Sequence, residues 1–521
     1  MPTLKLKRNT VAGNSPTTAQ LVVGELALNT EDGYLYAENA AGSAVNRIGT
    51  TSDRVRYLPA GTGAVPTTVQ AKLRESVSVK DFGAVGDGVT DDTAAFQACN
   101  DAATTDVGRN VYIPPGNYLV NNLDISNPGI WYGDKNASTI SSSTPGGDTF
   151  IVNAQQVFIE DLIFGTTVTK TGGTYIVLNS GPNQVNRVLM NGAYTGISIN
   201  ESLNKVYNCQ INNLVATYGV GIRVTKGAAV YIDGVVTGSP VSPSAGIYIS
   251  GASVQDVTIT NCNLMATGAA LYIDAQSGTV IPSVFASNCF FDGSDVGARI
   301  RATDGGIVIR CTFTQCWFSS HTTNGVEIQL VGTGVVDGID FIGCQFFLNT
   351  GKGISVGGGA KNIQLLGCSM ANNDTGIQFE GNTTNASVIG CRIGDTHGFS
   401  GNSSGIVQLG TAPVNLVISS NNISGNTLAL NDQGSTLTKV ARNIGIVSTT
   451  NGQVTLGSGT NVTVTHGLFK TPLISQIYVV PISAIGATGG FWISDVTATT
   501  FQINIPGTGA ILFAWSANTE S

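Results

Sequence analysis

The central part of the chain repeats a short pattern of alternating apolar and polar residues. Between about residues 150 and 445, segments such as GISIN, GIRVT and GIYIS recur every 21–30 residues. Alternation with a period of two indicates β-strands rather than helices. The first core-facing positions of this family are Ile197, Ile222, Ile247, Leu271, Ala298, Val326, Ile354 and Ile377. Strand units at such a fixed period predict a solenoid, here a parallel β-helix of roughly ten or more coils.

A second family of strand segments runs in phase with the first and carries a cysteine at an equivalent position. Its cysteines are Cys209, Cys262, Cys289, Cys316, Cys344, Cys368 and Cys391. Equivalent residues of successive coils stack about 4.8 Å apart, and cysteine is small, apolar and often buried. We therefore expect an interior cysteine column. Metal sites or disulfides are the less favoured alternative, because no His or Asp partners accompany the cysteines.

The repeat has flanking segments of different composition. Residues 1–58 contain two apolar alternations around Asp32-Gly33, which predicts a hairpin in an N-terminal domain. Residues 59–80 are expected to form a linker and a short neck helix, and residues 81–445 the β-helix with the receptor-binding site. Residues 446–521 lose the period and predict a small antiparallel β domain, a sandwich or oligomerisation cap. Its expected role is trimerisation or glycan binding.

Composition narrows the class of protein. Charged residues make up 11% of the chain, 66 of 521 residues are glycine, and the net charge is −8. Residues 1–80 sum to +3 and the remainder to −11, with no basic stripe of the kind that nucleic-acid binders show. No secretion signal and no apolar run of membrane-spanning length is visible. We expect neither a nucleic-acid partner, nor membrane insertion, nor a cofactor or metal.

The segment VSVKDFGAVGDGVTDDTAAFQACNDA, residues 77–102, reads as a strand, a glycine-rich turn and a helix. Asp91 or Asp92 is expected to cap the helix, because a carboxylate can accept hydrogen bonds from the free N–H groups of a first turn. Turn and cap chemistry therefore explains the carboxylates of this motif better than catalysis does.

This motif resembles the opening of the pectate-lyase-like superfamily as found in tailspikes. The N-terminal LKLKRNTVAGNSPTTAQLVVGELALNTEDGYLYAEN resembles the start of bacteriophage tail fibre and tailspike proteins. The resemblance implies an all-β, right-handed parallel β-helix in a homotrimeric virion tail protein. Its N-terminus would attach to the phage tail or baseplate. The β-helix would bind, and usually cleave, a host capsule, exopolysaccharide or O-antigen.

The repeat register predicts which side chains point away from the core. One outward column reads Ser198, Arg223, Tyr248, Tyr272, Arg299, Glu327, Ser355 and Gln378. The next reads Asn200, Thr225, Ser250, Asp274, Arg301, Gln329, Gly357 and Glu380. Tyrosines and charged groups on one face suit a sugar ligand, so we predict substrate contacts from Tyr248, Tyr272, Arg299, Arg301 and Gln329.

The carboxylates of this face are the candidate catalytic groups. Glu327 lies two coils from both Asp274 and Glu380, which places each pair of Cα atoms about 12 Å apart. Long side chains could then reach the roughly 6.5–9.5 Å carboxyl separation of an inverting glycosidase. Surface ion-pair ladders with Arg299 and Arg301 are an equally simple explanation for these carboxylates.

Three functions remain open at this point. The first is a glycoside hydrolase acting on a host polysaccharide. The second is a polysaccharide lyase in which Arg299 or Arg301 abstracts a proton next to a uronate carboxyl group, with or without the assistance of a bound Ca²⁺ ion. The third is a non-enzymatic receptor-binding spike. On the cysteine-bearing sheet, Phe290 and Trp317 are expected to face outward in adjacent coils, where Trp317 is a candidate sugar contact and trimer packing is an equal alternative.

Overall fold

The computed structural model describes residues 6–48, 52–53, 55–103, 110–215, 218–238, 245–266, 268–395, 398–410, 414–432, 439–446, 449–483 and 489–519. The chain forms two compact units, one up to Val77 and one from Ser78 onward. Among the described residues, no helix is long and apolar enough to cross a membrane.

The first unit is a small β structure. Its four-stranded sheet contains the strands Lys7–Asn9, Leu26–Asn29, Tyr34–Glu38 and Val45–Ile48. The second and third strands pair antiparallel across Asp32-Gly33, which confirms the predicted hairpin. Strands Arg56–Tyr57 and Thr67–Thr68 pair next to a short helix, Val69–Leu73, whose free Ala71 N–H donates to the Thr68 hydroxyl at 3.0 Å.

The second unit is dominated by a parallel β-helix of about 13 turns, as the repeat predicts. Each turn adds a strand to three parallel sheets. Sheet 1 contains Leu123–Ile125, Phe150–Val152, Thr174–Leu178, Thr195–Ile199, Val220–Asp233, Ala245–Thr260, Ala269–Ala275, Val296–Thr303, Asn324–Val331, Lys352–Val356, Thr375–Phe379, Ser404–Gln408 and Leu428–Asp432.

Sheet 2 shares the two long strands Val220–Asp233 and Ala245–Thr260 with sheet 1, since both continue into it. Its other strands are Val77–Ser78, Asn110–Ile113, Gly129–Gly133, Val157–Glu160, Gln184–Asn186, Lys205–Tyr207, Val280–Pro282, Val284–Ser287, Ile307–Thr314, Val335–Ile342, Lys361–Leu366, Ser387–Ile389, Val417–Ser419 and Lys439–Ala441. Sheet 3 contains Asp87–Asp91, Gly116–Leu119, Ser138–Ser142, Ile163–Thr166, Leu189–Asn191, Gln210–Asn212, Val236–Gly238, Asn263–Leu264, Phe290–Asp292, Trp317–Ser319, Gln345–Phe347, Ser369–Ala371 and Arg392–Ile393.

The predicted cysteine column lies inside the β-helix. All nine cysteines of the chain are buried and free, so the interior interpretation is confirmed and no disulfide is formed. Their thiols contact backbone carbonyls, as in Cys209, whose Sγ lies 3.2 Å from the Tyr207 oxygen. Burial raises the pKa of Cys209 to about 12, which keeps this thiol protonated and unreactive.

A column of glycines marks a crowded corner of the coil. A Cβ added at Gly353 would lie 2.6 Å from the carbonyl oxygen of Gly376, and one at Gly376 would lie 2.6 Å from that of Gly405. Real Cβ atoms do not come so close to a carbonyl oxygen. The column consists of Gly196, Gly221, Gly246, Gly297, Gly325, Gly353, Gly376 and Gly405. The requirement for close backbone approach explains the glycine of the repeated GI segments.

A buried polar ladder runs beside this corner. Asn349 donates through Nδ2 to Asn373 Oδ1 at 2.8 Å, and Asn373 donates in the same way to Asn402 at 2.9 Å. Each Oδ1 also accepts the backbone N–H of the previous coil's ladder residue, as Asn373 Oδ1 does from Asn349 at 3.2 Å. The ladder provides hydrogen-bond partners for backbone N–H groups that are buried where strands end. Without partners, these buried groups would destabilise the fold.

His321 occupies the same ladder one coil before Asn349. Its Nδ1 lies 3.2 Å from the Ser294 backbone nitrogen and 3.3 Å from the Ser294 carbonyl oxygen, so it accepts or donates according to the tautomer of the ring. That Nε2 has no hydrogen-bond partner among the described residues. Burial lowers the pKa of His321 to about 4, so the ring is neutral in the folded protein.

The glycine-rich motif closes the start of the β-helix. Asp92 stands at the N-cap of the helix Thr93–Ala102, but its carboxylate accepts from the N–H groups of Val85 and Gly86, at 2.6 and 3.1 Å. Of the two expected capping residues, Asp92 makes no side-chain capping bond, because the preceding turn takes its carboxylate, and the alternative, Asp91, is the one that bonds to the first turn. Asp91 accepts instead from the Thr93 N–H at 3.0 Å. The remaining short helical turn of this region is Val79–Phe82.

The C-terminal residues form two three-stranded antiparallel sheets around a separate apolar cluster, as expected of a small β domain. One sheet contains Thr449–Leu456, Ile477–Pro481 and Ile511–Asn518, and the other Asn461–Thr465, Trp492–Ser494 and Thr500–Asn504. A short helical turn, Ile474–Gln476, precedes the strand Ile477–Pro481. His466 lies in a turn here, where its Nε2 is 3.1 Å from the Thr497 carbonyl oxygen.

The substitution His321→Asn should make the protein more resistant to acid. The unfolded chain binds a proton at His321 below about pH 6.5, whereas the folded chain does so only near pH 4. Above pH 6.5 the titration of His321 therefore does not lower the free energy of unfolding. As the pH falls from 6.5 towards 4, this titration lowers the free energy of unfolding by at most about 3 kcal/mol. Asparagine continues the ladder and removes the titration. Thermal unfolding from pH 7 to 4 measures the effect, and equal pH slopes for the two proteins would contradict it.

Candidate functional site

Backbone register confirms the two predicted outward columns on sheet 1. In successive coils Arg223 pairs with Tyr248, Tyr248 with Tyr272, Tyr272 with Arg299 and Arg299 with Glu327. Two residues further along the same strands, Ser250, Asp274, Arg301 and Gln329 are also in register. The two columns lie about 7 Å apart on one face, because alternate residues of a strand point the same way.

These columns form one wall of a groove with a volume of about 440 Å³. Five of the predicted site residues line it together: Tyr248, Tyr272, Asp274, Arg299 and Arg301. Tyr218, Arg223 and Gln276 complete its polar and aromatic lining. The groove thus has the aromatic and charged side chains that sugar recognition needs, on rigid strands of the solenoid.

Asp274 lies at the centre of a hydrogen-bond network. Its Oδ1 accepts from Arg301 Nε at 2.9 Å, and its Oδ2 accepts from Arg301 Nη2 at 3.0 Å and from the Tyr248 hydroxyl at 2.8 Å. Gln276 Nε2 donates to the same Oδ2 at 3.1 Å. The Asp274 side chain is only 1% exposed. The outward register is right, but the neighbouring side chains cover this carboxylate completely.

The network keeps Asp274 ionised. Burial by itself would raise the pKa of this carboxyl, but the hydrogen bonds from Arg301, Gln276 and Tyr248 outweigh burial and hold the pKa below its ordinary value. A carboxylate with both oxygens occupied and a low pKa is a poor proton donor. Its geometry suits fixing the positions of Arg301 and the Tyr248 hydroxyl.

Two tyrosine rings lie between arginine side chains along the groove. The Arg223 guanidinium lies 5.0 Å from the centre of the Tyr248 ring, and the Tyr248 and Tyr272 rings meet edge to face at 5.2 Å. Arg299 and Arg301 both lie over the Tyr272 ring, at 5.7 and 5.2 Å. Burial raises the pKa of Tyr272 to about 12, so its hydroxyl is protonated at neutral pH.

Glu327 is held less tightly than Asp274. Arg299 Nε donates to its Oε2 at 2.9 Å, and the Glu327 side chain is 21% exposed. Gln329 is half-buried in register with Arg301, beyond the groove lining. Glu380 is exposed just after the strand Thr375–Phe379 and accepts from Gln378 Nε2 at 3.4 Å.

Trp317 lies on a different sheet from the groove. It pairs with Phe290 in sheet 3, and the Phe290 side chain is 53% exposed, as expected of an outward position. The Trp317 ring is half-buried because it packs edge to face on Phe347 at 5.2 Å. The structure therefore does not bring Trp317 together with the other predicted sugar contacts.

Sequence reasoning missed three residues of the groove. Arg223 stands in the predicted outward column but was not singled out, although its register with Tyr248 was the available signal. Gln276 follows Asp274 by two residues, so the same alternation places it on this face. Tyr218 precedes its strand and is 65% exposed, and no periodic signal identifies it.

The described residues contain no group of three or more His, Cys, Asp or Glu side chains arranged to hold a metal ion. The chemistry available at the groove is that of its arginines, its tyrosines and the Asp274 carboxylate, and the carboxylate of Glu327 lies one coil beyond the lining. These groups can stack on sugar rings, bind anionic substituents and transfer protons.

Comparison with known proteins finds one family model that matches the start of the solenoid and several relatives that match parts of the chain. The family described as rhamnogalacturonase A/epimerase, pectate lyase-like, matches residues 76–146. Mannuronan C5-epimerase AlgE5 of Azotobacter vinelandii is 63% identical over 43 residues, which are 8% of this chain and 4% of that protein. The pre-neck appendage protein of Bacillus phage B103 is 32% identical over 209 residues, 36% of this chain and 22% of that protein. The chain thus spans a small fraction of the length of these relatives.

Solved structures of phage tailspikes share the fold over most of the chain. Tailspike protein gp49 from Pseudomonas phage LKA1 superimposes with a TM-score of 0.51 at 15% identity, covering 85% of this chain and 99% of that one. A tailspike mutant of E. coli bacteriophage HK620 in complex with a pentasaccharide gives a TM-score of 0.52 at 12% identity, covering 90% and 98%. The chain therefore has the parallel β-helix fold of these tailspike structures.

The substitution Asp274→Asn should destabilise the folded protein at neutral pH by about 1–3 kcal/mol, because it weakens charge-assisted hydrogen bonds that are shielded from water. The loss should shrink as the pH falls through the lowered pKa of Asp274, where the wild-type carboxylate is itself protonated. Denaturant unfolding at pH 7 and in acid measures both effects. Glu201→Gln is the matched control, since the Glu201–Lys226 pair is exposed and should contribute little. Equal losses for the two variants would contradict this description.

Proposed function

We propose that the chain is a phage tailspike that binds and cleaves a host surface polysaccharide through the groove of sheet 1. One observation carries this proposal: Tyr248, Tyr272 and three arginines line the same groove of a β-helix that shares its fold with tailspikes. Aromatic rings provide flat apolar surfaces for sugar rings, and fixed charged groups bind their polar substituents. A capsule, an exopolysaccharide or an O-antigen would present such a ligand.

The proposal includes assembly and location. We expect a homotrimer in the virion tail, joined to the tail or baseplate through residues 1–58. Outward residues of sheet 2 support an intersubunit surface, because Ile130, Phe158, Tyr231 and Phe285 are apolar side chains between 37% and 44% exposed. Apolar residues in such a band favour contact with another subunit over water.

We assign glycoside hydrolysis as the reaction, with Glu327 as the carboxyl that transfers a proton. Glu327 is held by one hydrogen bond from Arg299 and is partly exposed, so one of its oxygens is available to a substrate. Protonating the leaving oxygen of a glycosidic bond requires such an accessible carboxyl group. Asp274, fully bound and ionised, positions Arg301 and Tyr248 in this scheme.

Glu380 is the proposed second carboxylate, which would activate water. It lies two coils from Glu327 and two residues along the strand direction, so their Cα atoms are about 12 Å apart. Two glutamate side chains of this length can approach the roughly 6.5–9.5 Å of inverting enzymes. Its exposure keeps it accessible to water, in contrast to Asp274.

Cleavage by elimination is the second candidate. The presence of three arginines in the groove favours it, because a lyase must neutralise the carboxylate beside the carbon that loses its proton. Arg299 and Arg301 are the candidate groups for this step. The raised pKa of Tyr272 argues against that hydroxyl as the base. An unsaturated product would absorb ultraviolet light, whereas hydrolysis gives reducing ends without new absorbance.

The substitution Glu327→Gln should reduce the release of reducing ends from a bound polysaccharide by about 100-fold or more, because the amide cannot donate the proton. Binding of the polysaccharide should persist. Glu160→Gln is the matched control: Glu160 pairs with Arg187 on sheet 2 and is similarly exposed, at 24%. Light scattering should give three times the chain mass of 53.7 kDa for all three proteins.

Different outcomes reject different parts of the proposal. Unchanged product release in Glu327→Gln would reject the catalytic assignment. New ultraviolet absorbance in the wild-type digest would replace hydrolysis by elimination. If the wild-type protein binds the polysaccharide but releases no product, the protein is a non-enzymatic receptor-binding spike.

A further inference from the structure

The groove is a locally cationic site in an acidic protein. Three arginines and one aspartate line it, namely Arg223, Arg299, Arg301 and Asp274. The part of the chain from residue 81 onward nevertheless carries a net charge of −11. Cations gathered in one concave surface create a local positive potential there, although the molecule as a whole is negative. This local potential attracts an anionic ligand to the groove.

The three arginines differ in how far they are neutralised. Arg301 is bound through two nitrogens by Asp274, and Arg299 through one nitrogen by Glu327. Arg223 forms no ion pair with any carboxylate among the described residues, and its contact is the Tyr248 ring. An arginine carries five N–H donors in a planar fork. With respect to the described residues, Arg223 therefore has unused donors and an uncompensated charge next to an aromatic platform.

We infer that the groove selects an anionic glycan, with the carboxylate of one sugar bound by Arg223 and the sugar ring beside Tyr248 and Tyr272. This inference rests on the proposed polysaccharide-binding function and names its substrate class. A planar guanidinium can bind a carboxylate through two parallel hydrogen bonds, which a neutral sugar cannot reproduce. The Tyr248 contact holds the Arg223 fork in place, and Asp274 holds Tyr248 through its hydroxyl.

The spacing along the groove supports a ligand of more than one sugar. Arg223, Tyr248, Tyr272 and Arg299 occupy four successive coils, so the lining extends about 15 Å along the solenoid axis. The uncompensated charge lies at the Arg223 end, and the partly exposed Glu327 lies one coil past Arg299 at the other. The carboxylate-binding position is therefore separated from the proposed cleavage position by several coils, so that Arg223 fixes the register of the polysaccharide.

The test uses the full chain and the surface polysaccharide purified from a strain that it binds. One sample of the polysaccharide is native, and in the other the carboxyl groups are reduced to neutral alcohols. We expect the wild-type protein to bind the native polymer at least tenfold more tightly. In Arg223→Gln the ratio of the affinities for the native and the reduced polymer should fall close to one. Arg392→Gln removes the same charge from an exposed position on sheet 3 and should keep the wild-type preference.

A third sample identifies where the carboxylate comes from. Mild acid removes ketal-linked acids such as pyruvate but leaves hexuronates, so loss of binding after this treatment would indicate a ketal and retained binding a hexuronate. Equal binding to the native and reduced polymers would overturn the inference while leaving the proposed function in place. A full preference in Arg223→Gln, or its loss in Arg392→Gln, would also overturn it. Failure to bind any surface polysaccharide would instead reject the proposed function.

Discussion

In-register stacking of parallel strands is the constraint on which the rest of this structure depends. Each coil places its residues about 4.8 Å from their equivalents in the next coil. A residue must therefore tolerate its own kind, or a complementary group, directly above and below it. Inside the β-helix this favours cysteine, which packs without charge, glycine where backbones nearly touch, and asparagine, whose amide can donate to one neighbour and accept from the other.

The same constraint shapes the groove on the outside. Like charges stacked at this distance would repel, and each arginine of the two columns is stacked against tyrosines, carboxylates or uncharged residues and never against another arginine. Arg223 lies over Tyr248, Arg301 binds Asp274 and Arg299 binds Glu327. These contacts fix long side chains that would otherwise be mobile. A rigid, partly charged surface of this kind suits a repetitive ligand such as a polysaccharide, because the coils of the solenoid and the sugars of the polymer each repeat along one axis.

Periodicity made much of this predictable from the sequence. The period of the Ile and Cys positions determines the coil, and the alternation within each strand determines the outward register, so Tyr248, Tyr272, Arg299 and Arg301 were placed on one face correctly. The burial of Asp274 was not predictable, because it depends on side-chain conformations of Tyr248, Arg301 and Gln276. Trp317 was placed outward correctly, but its contact with Phe347 arises from a neighbouring coil. The asparagine ladder repeats at the same period as the cysteines, so its signal was present and was missed.

A crystal structure of the full chain with an oligosaccharide from its own host polysaccharide tests the account most directly. Sugar rings are expected along the groove of sheet 1, beside Tyr248 and Tyr272, with a glycosidic oxygen within hydrogen-bond reach of Glu327. An oligosaccharide bound on sheet 2, on sheet 3 near Trp317, or in the C-terminal domain, with the groove of sheet 1 empty, would contradict it.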